Sequence, residues 1–540
     1  MSMNKFLILI GLTTLLAGCG GDVFDSDYGR YNATATSNPT DVQDSFLYST
    51  SLYGSDDGGP SADIAVLLPT SGIAKAHGNE IKTSIETAFL RKPKTNVKIT
   101  FFDLSGTMDE RYEIINEALA SDPDVIIGPL FAEDAKLLHD MKPSSLPVIS
   151  FTSDTSALGD GIMTVNLIPT QSIETIVNQM QKDKIKNMII LAPNDASGEK
   201  MAYVADMAAD LYNIPAIGIF YYDAGKSDSI KDVAIRASLY KTRNAANTRA
   251  REVLSDILTN EELSPDLKTN LSNQLEHISR SETLGNIPYD AVLFLGNGDD
   301  SKKLASFLRY YGLSTRDAKF YGTTLWHDSA VASDFTMSGA KYATLPEISN
   351  GFIALHDMVT AQKPGYLSAF GYDAANLALG MIYSQKSGPA YFFDPSGYNG
   401  ATGVFRIQPT GESEHTLRIM ELDGSGTPQT IADAPNNFLA PIYNIHSTKT
   451  KAVSPREIAG YGVNPGDYID VPENLRKQSK YKTKTIGEKN TVSDTSSTKP
   501  TATIAVPVHP DPETVSNPDF QPVKLENISR QYIDNVEIEE

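Results

Sequence analysis

The stretch Ala62 to Gly78, ADIAVLLPTSGIAKAHG, decides the fold. Ile64 to Leu68 is apolar without a break, runs into Pro69, and gives way to Thr70-Ser71-Gly72 and then to a helical pattern. A strand that is apolar on every face belongs inside a parallel sheet covered by helices on both sides. In such sheets ligands gather at the loops that leave the strands' carboxyl ends. The stretch therefore predicts the opening βα unit of an α/β domain whose function lies at its loops.

Reading onward, the alternation is regular. Asp63–Leu68 is a predicted strand and His77–Leu90 a helix. Strands follow at 97–102, 124–127 and 147–151, and helices at 109–120 and 133–141. Units of this length repeating in order predict a doubly wound sheet. The rhythm restarts with a helix at 172–182, a strand at 187–192, a helix at 198–212 and a strand at 216–222. Residues 228–286 interrupt it with charged, helix-prone sequence, read as an inserted helical hairpin on a second lobe. Strands at 290–295 and 319–322 resume it, a helix is expected over 370–384, and Gly403–Gln408 with Thr416–Leu422 predicts a late β-hairpin around Thr410-Gly411.

The two ends read differently. Met1 to Gly18 carries Lys5, an apolar run from Phe6 to Leu16, and small residues. That run is too short to span a bilayer and fits a secretory signal, residues 1–18. Leu16-Ala17-Gly18-Cys19 resembles a bacterial lipobox, which implies cleavage before Cys19 and acylation of its thiol. Acyl chains contribute about 0.8 kcal/mol per buried CH₂, so three would anchor the protein to a membrane. Cys19 is the one cysteine of 540 residues, so its acylation leaves no thiol for a disulfide. Gly20 follows it; by resemblance to sorted lipoproteins this implies the outer membrane of a Gram-negative cell, with the protein facing the periplasm. Residues 19–61, rich in Gly, Asp, Ser, Thr and Asn, are expected to be a lipidated tether. Residues 448–540, rich in Lys, Thr, Ser, Pro and Asp, are expected to be a low-complexity, disordered tail with a short docking segment near Phe520–Tyr532.

The formal net charge of −21 excludes nucleic acid as a partner, since no basic surface is available to displace counterions from phosphates. It argues equally against anionic head groups as ligands.

Two successive βα sheets, with later segments returning to each, resemble the type I periplasmic binding protein fold, in which two lobes hinge on a ligand. The resemblance runs from Ala62 to Ile445 and rests on IAVLLPTSG (64–72), VIIGPLFAEDA (125–135), PVISFTSDTSAL (147–158), YDAVLFLGNG (289–298) and FYGTTLWHD (320–328). GVFRIQPTGESEHTLRIMEL (403–422) looks like the closing hairpin of the leucine/isoleucine/valine-binding group. The expected domain is residues 62–447, with lobe 1 at 62–165 and 325–380 and lobe 2 at 166–324 and 385–447. The wording is most similar to the lipoprotein activators of penicillin-binding proteins, whose carboxyl-terminal domain opens with a similar LLP-x-x-G and a GPL segment. The chain departs from their enterobacterial members by placing a tether, not a long helical-repeat domain, ahead of the fold. This resemblance implies a non-catalytic envelope lipoprotein whose partner is a peptidoglycan synthase. The alternative is a substrate-binding protein that hands an amino acid or other small solute to an ABC transporter.

The candidate cleft residues are Thr70, Ser71, Gly72, Thr152, Ser153, Asp154 and Trp326. The amides of Thr70-Ser71-Gly72 precede a helix and could hold an anion; they also read as an ordinary cap and turn. Asp154 could line the cleft or cap the next segment. Trp326 could be a cleft platform or seal the hinge. In amino-acid receptors of the resembled group, hydroxyl residues and an acid grip the ligand. Those positions fall here on Phe131-Ala132-Glu133, Thr152-Ser153-Asp154 and Thr324, where Glu133 or Asp154 would repel an α-carboxylate. Ser197-Gly198-Glu199-Lys200 and Lys386-Ser387-Gly388 match outer motifs of penicillin-binding proteins, but no S-x-N lies between them in the mature chain, so both read as coincidence. With no other nucleophile, metal or nucleotide motif present, the expectation is no catalytic residue, no metal and no cofactor.

Overall fold

Strand β1 (Ser61–Leu68) is fully buried from Val66 to Leu68 because its two faces serve two different helix layers. Ile64, Val66 and Leu68 pack into one apolar cluster, and Ala65 and Leu67 into another. The computed structural model describes residues 61–90, 96–327, 330–384, 388–438 and 452–487. The signal, Cys19, the tether and the segment near Phe520–Tyr532 lie outside the described residues.

From β1 the chain runs through α1 (Lys75–Leu90), β2 (Asn96–Asp103), α2 (Met108–Ala120), β3 (Val125–Ile127), α3 (Ala132–Met141), β4 (Val148–Ser150) and β5 (Ile162–Thr164). These strands form one parallel sheet in the order β2-β1-β3-β4-β5. The register sets Ile64 between Ile99 and Val125. The second lobe continues with α4 (Pro169–Lys182), β6 (Met188–Pro193), α5 (Ala196–Leu211), β7 (Ala216–Tyr222), α6 (Ser227–Ala237), α7 (Tyr240–Leu258) and α8 (Pro265–Ser279). It is completed by β8 (Ala291–Phe294), α9 (Gly298–Tyr310), β9 (Lys319–Gly322) and β10 (Lys341–Thr344).

The chain then returns to the first lobe with α10 (Asn350–Thr360) and α11 (Tyr366–Tyr383), which pack on α1. A small antiparallel sheet follows, made of β11 (Tyr398–Gly400), β12 (Gly403–Ile407) and β13 (Ser413–His415). Finally β14 (Arg418–Glu421) and β15 (Gln429–Ala432) pair antiparallel at the edge of the second sheet, whose order is β15-β14-β10-β9-β8-β6-β7. The chain thus passes between the lobes three times, after β5, after β10 and after β13.

Four sequence expectations are corrected. The lobe bounds shift: residues 325–344 belong to the second lobe, not the first, since Tyr342 pairs with Gly322 of β9 and Met420 of β14. Residues 388–415 belong to the first lobe, not the second, since the Thr164 amide of β5 donates to the Gly411 carbonyl and the Ala401 amide to Asp373 of α11. Strand β10 is only four residues long, too short for its own signal. The hairpin expected around Thr410-Gly411 closes with β13, and β14 leaves it to join the second sheet. The 228–286 insertion is smaller than expected, because α6 packs on β7 and α9 as an ordinary crossover helix, leaving α7 and α8 as the added pair.

The fourth correction concerns the tail. Residues 452–487 fold, with a strand β16 (Gly462–Val463), a helix α12 (Glu473–Gln478) and a strand β17 (Ile486–Gly487). Arg456 exchanges both main-chain hydrogen bonds with Ile219 (2.8 and 2.9 Å), covering the exposed edge of β7. Ile469 and Val471 then close the apolar face that α7 and α8 share through Val253, Leu254 and Leu271.

Candidate functional site

Parallel sheets place the loops after β1, β2, β3 and β4 on one edge, facing the corresponding loops of the second lobe. At the first of these, the Thr70 and Ser71 amides both donate to Asp103 Oδ1, at 2.8 and 3.2 Å. The Ser105 hydroxyl lies 2.6 Å from the same oxygen and 3.0 Å from the Ser71 carbonyl. Burial alone would raise the Asp103 pKa, but hydrogen bonds from Ser105, Ser71 and Thr70 outweigh it and hold the carboxyl at about 2. The anion that these amides bind is therefore the chain's own. Gly72 supplies the left-handed turn (φ 68°) that leads into α1.

After β4, the buried Thr152 accepts from the Asp154 amide (3.1 Å) and Ser153 is exposed. Asp154 accepts from the amide and hydroxyl of Ser156 (3.0 and 2.7 Å) and from Lys136 Nζ (2.9 Å). It caps the short helical turn Thr155–Ala157. Although burial opposes it, these hydrogen bonds keep the Asp154 pKa low. Glu133, at the other receptor-like position, lies 3.6 Å from Arg111, which also meets the buried Asp134 at 3.1 Å. Neither acid is bare, contrary to the expectation of unpaired negative charge; each has a cation beside it. Thr324 donates its amide to Ser172 Oγ (3.2 Å), and its hydroxyl lies 3.3 Å from that of Thr344.

Trp326 is not at the cleft. The turn Thr324–Trp326 folds its ring back under Gly322, against Phe294 and Tyr342, and its Nε1 donates to Ser301 Oγ at 2.9 Å. It is 2% exposed and belongs to the second lobe's core.

The structure adds a polar cluster at the crossovers that the sequence reading missed. Lys200, on α5 of the second lobe, donates to Thr155 Oγ1 of the first. Near it Glu412, only 3% exposed, has neither carboxylate oxygen in a hydrogen bond. Burial pushes its pKa up to about 7, against the pull of Lys200 and, more weakly, of the Thr410 hydroxyl. Two residues on, Glu414 pairs with Arg406 Nε (2.6 Å) and accepts from Gln408 (2.5 Å), and burial still raises its pKa. Burial, reinforced by the Glu414 charge, lifts Glu174 of α4 to about 7. His415 is pushed down to about 4 by burial, with Nε2 3.1 Å from the Val165 carbonyl. Gln171 clamps this strand to α4, accepting from the His415 amide (3.1 Å) and donating to the Ser413 carbonyl. The only signal in the sequence was the pair Glu412 and Glu414, just before and within β13, whose partner strand β12 carries Arg406.

This arrangement can hold and release protons while joining the lobes; it aligns no nucleophile with a base. Among the described residues, no group of three His, Cys, Asp or Glu side chains is placed to hold a metal ion. Among the same residues no helix is long and apolar enough to cross a membrane.

Two doubly wound lobes joined by three crossovers define a type I periplasmic binding protein fold. A solved "putative branched-chain amino acid ABC transporter" from Rhodospirillum rubrum has this fold, with TM-score 0.51 and 13% identity over 69% of this chain and 100% of that one. The chain belongs to the LppC putative lipoprotein family, whose sequence model matches residues 57–421. It is 22% identical over 228 residues to the penicillin-binding protein activator LpoA of Pasteurella multocida, a match covering 39% of this chain and 37% of that protein. Full-length LpoA of Haemophilus influenzae aligns over 70% of this chain and 60% of its own, with 16% identity and TM-score 0.47.

Proposed function

We propose that this protein is a non-catalytic envelope lipoprotein that binds a peptidoglycan synthase and raises its activity. Lipid on Cys19 would anchor it in the inner leaflet of the outer membrane, with the two-lobed domain in the periplasm. The partner class comes from the similarity to an activator of penicillin-binding proteins. The observation that carries the reading is that the cleft's grips are engaged internally. Asp103 fills the Thr70–Ser71 amides, Lys136 holds Asp154, and Lys200 spans to Thr155. A solute carboxylate would have to displace these contacts, each a charge-assisted or main-chain hydrogen bond.

The test uses the full lipoprotein in detergent with a purified bifunctional penicillin-binding protein. Glycan polymerisation and cross-linking rates are measured with and without it, and the lipoprotein is titrated with amino acids by calorimetry. Stimulation with no heat from amino acids is expected. Micromolar amino-acid binding with unchanged synthase rates would replace this reading with that of a solute receptor.

A further inference from the structure

The strand order β2-β1-β3-β4-β5 puts the loops after β2, β1 and β3 side by side, at the end of the first sheet away from β5, after which the first crossover leaves. These loops carry large apolar side chains that point to water. Ile73, after β1, is fully exposed; Met108 and Tyr112, in the first turns of α2, are 59% and 44% exposed; Phe131, after β3, is 44% exposed. Four such side chains on the loops of three neighbouring strands are the grouping expected of an interaction site rather than of singly scattered surface residues.

The frame beneath these side chains is rigid. Asp103 and Ser105 pin the β1 loop to the β2 loop. A reciprocal capping box fixes the start of α2, with the Thr107 amide donating to Glu110 Oε2 at 2.7 Å. Arg111 ties that helix to the start of α3 through Asp134. The apolar groups are thus held ready without being packed inward, and a preorganised surface loses little entropy when it is covered.

The surrounding charge states the partner's chemistry. Residues 103–117 hold five carboxylates (Asp103, Asp109, Glu110, Glu113 and Glu117) against one cation, Arg111, which is already paired. In the second lobe, Asp195 after β6 and Asp299 in the first turn of α9 are exposed acids as well.

We infer that this apolar lip, formed by Ile73, Met108, Tyr112 and Phe131, is the docking surface for a protein partner whose contacting segment is apolar and cationic. The inference rests on the reading above, and the segment it describes is then part of the synthase. Carboxylates at the rim steer the approach, while the apolar centre holds the complex.

The test measures binding of the purified synthase to the full lipoprotein by surface plasmon resonance at two salt concentrations. Three forms are compared: wild type, the triple variant Ile73→Ser/Met108→Ser/Phe131→Ser, and the pair Asp109→Lys/Glu113→Lys. All replaced side chains are solvent-exposed, and circular dichroism with thermal melting checks that folding is unchanged. The apolar variant is expected to bind at least about tenfold more weakly, mainly through faster dissociation. The charge variant is expected to associate more slowly at low salt and to lose most of the wild type's salt dependence. Synthase binding that is equal in all three forms overturns the docking surface and leaves the proposed function standing. A wild type that does not bind the synthase overturns both.

Discussion

At the scale of single residues, both lobes close their first βα unit with the same device. A Cβ at Gly78 would lie 2.0 Å from the Pro69 carbonyl oxygen, and one at Gly198 would lie 2.0 Å from that of Pro193. In each lobe the helix after the first strand crosses directly over the proline that ends it. Gly78→Ala is expected to cost about 3 kcal/mol, because backbone must move to admit the methyl group. At Gly72 the added methyl would meet nothing within 4 Å, so Gly72→Ala should cost only about 1 kcal/mol from its positive φ. Urea unfolding of the two variants separates lack of space from backbone conformation. Asp103 allows a second measurement. Its carboxyl is held near 2 against an ordinary 3.8, so its contribution is present above about 4 and lost as pH falls through about 2. The stability gap between wild type and Asp103→Asn should narrow over that interval in acid urea titrations. The turn at Pro69–Gly72 was legible in the sequence. Its acceptor was not, because it lies 33 residues away on a neighbouring strand.

At the scale of elements, legibility follows the length and periodicity of the signal. β1, α1 and α5 read clearly because each repeats its apolar residues over two turns or more, or runs apolar throughout. β10 was assigned to the wrong lobe because four residues carry no period. The segment 452–487 was read as tail for a related reason. Ile458, Val463, Ile469 and Val471 stand apart in polar sequence, and each is buried by surfaces that already exist. Ile458 packs in the cluster with Phe220, while Ile469 and Val471 cover the α7–α8 pair. The α7–α8 pair has an apolar face that the sheet does not reach, so its stability depends on this strap. Ile469→Ala should cost about 2–4 kcal/mol locally. Limited proteolysis should then cut between α7 and α8, near residues 259–264, faster than in wild type, with the first lobe equally resistant in both. Equal cutting rates would mean that the pair stands without the strap.

At the scale of the whole molecule, the crossovers carry the most pH-sensitive chemistry in the described chain. Glu412 is faced by Lys200 from α5, by Glu414 of β13 and by the Thr410 hydroxyl from its turn; Glu174 is faced by Glu414 and by Tyr212. Both carboxyls titrate near 7 in the folded protein against an ordinary 4.5. Between those values the folded state holds protons that the unfolded chain has released, so stability falls as pH rises through the window. Asp373, buried in α11 under three hydrogen bonds from Ala401 and Thr402, titrates near 7 as well and adds to the same fall. His415 acts oppositely but lower, since burial holds it near 4 against 6.5, so its effect is complete by about 6.5. Above that pH the carboxyls alone set the slope. Thermal melting from pH 6 to 8.5 should therefore show a decline that is steepest up to about 7 and levels off above it, once the folded state has released the same protons. Glu412→Gln, which mimics the protonated acid, should flatten part of it and melt above wild type at pH 8. Lys200→Met removes the cation that pulls the Glu412 pKa down, so the decline should extend to higher pH. The two variants diverge because one removes the proton-binding group while the other raises its affinity for the proton. If their curves run parallel to wild type, Glu412 is hydrated in solution, and the lobes meet less tightly at Lys200 and Thr155 than this structure shows.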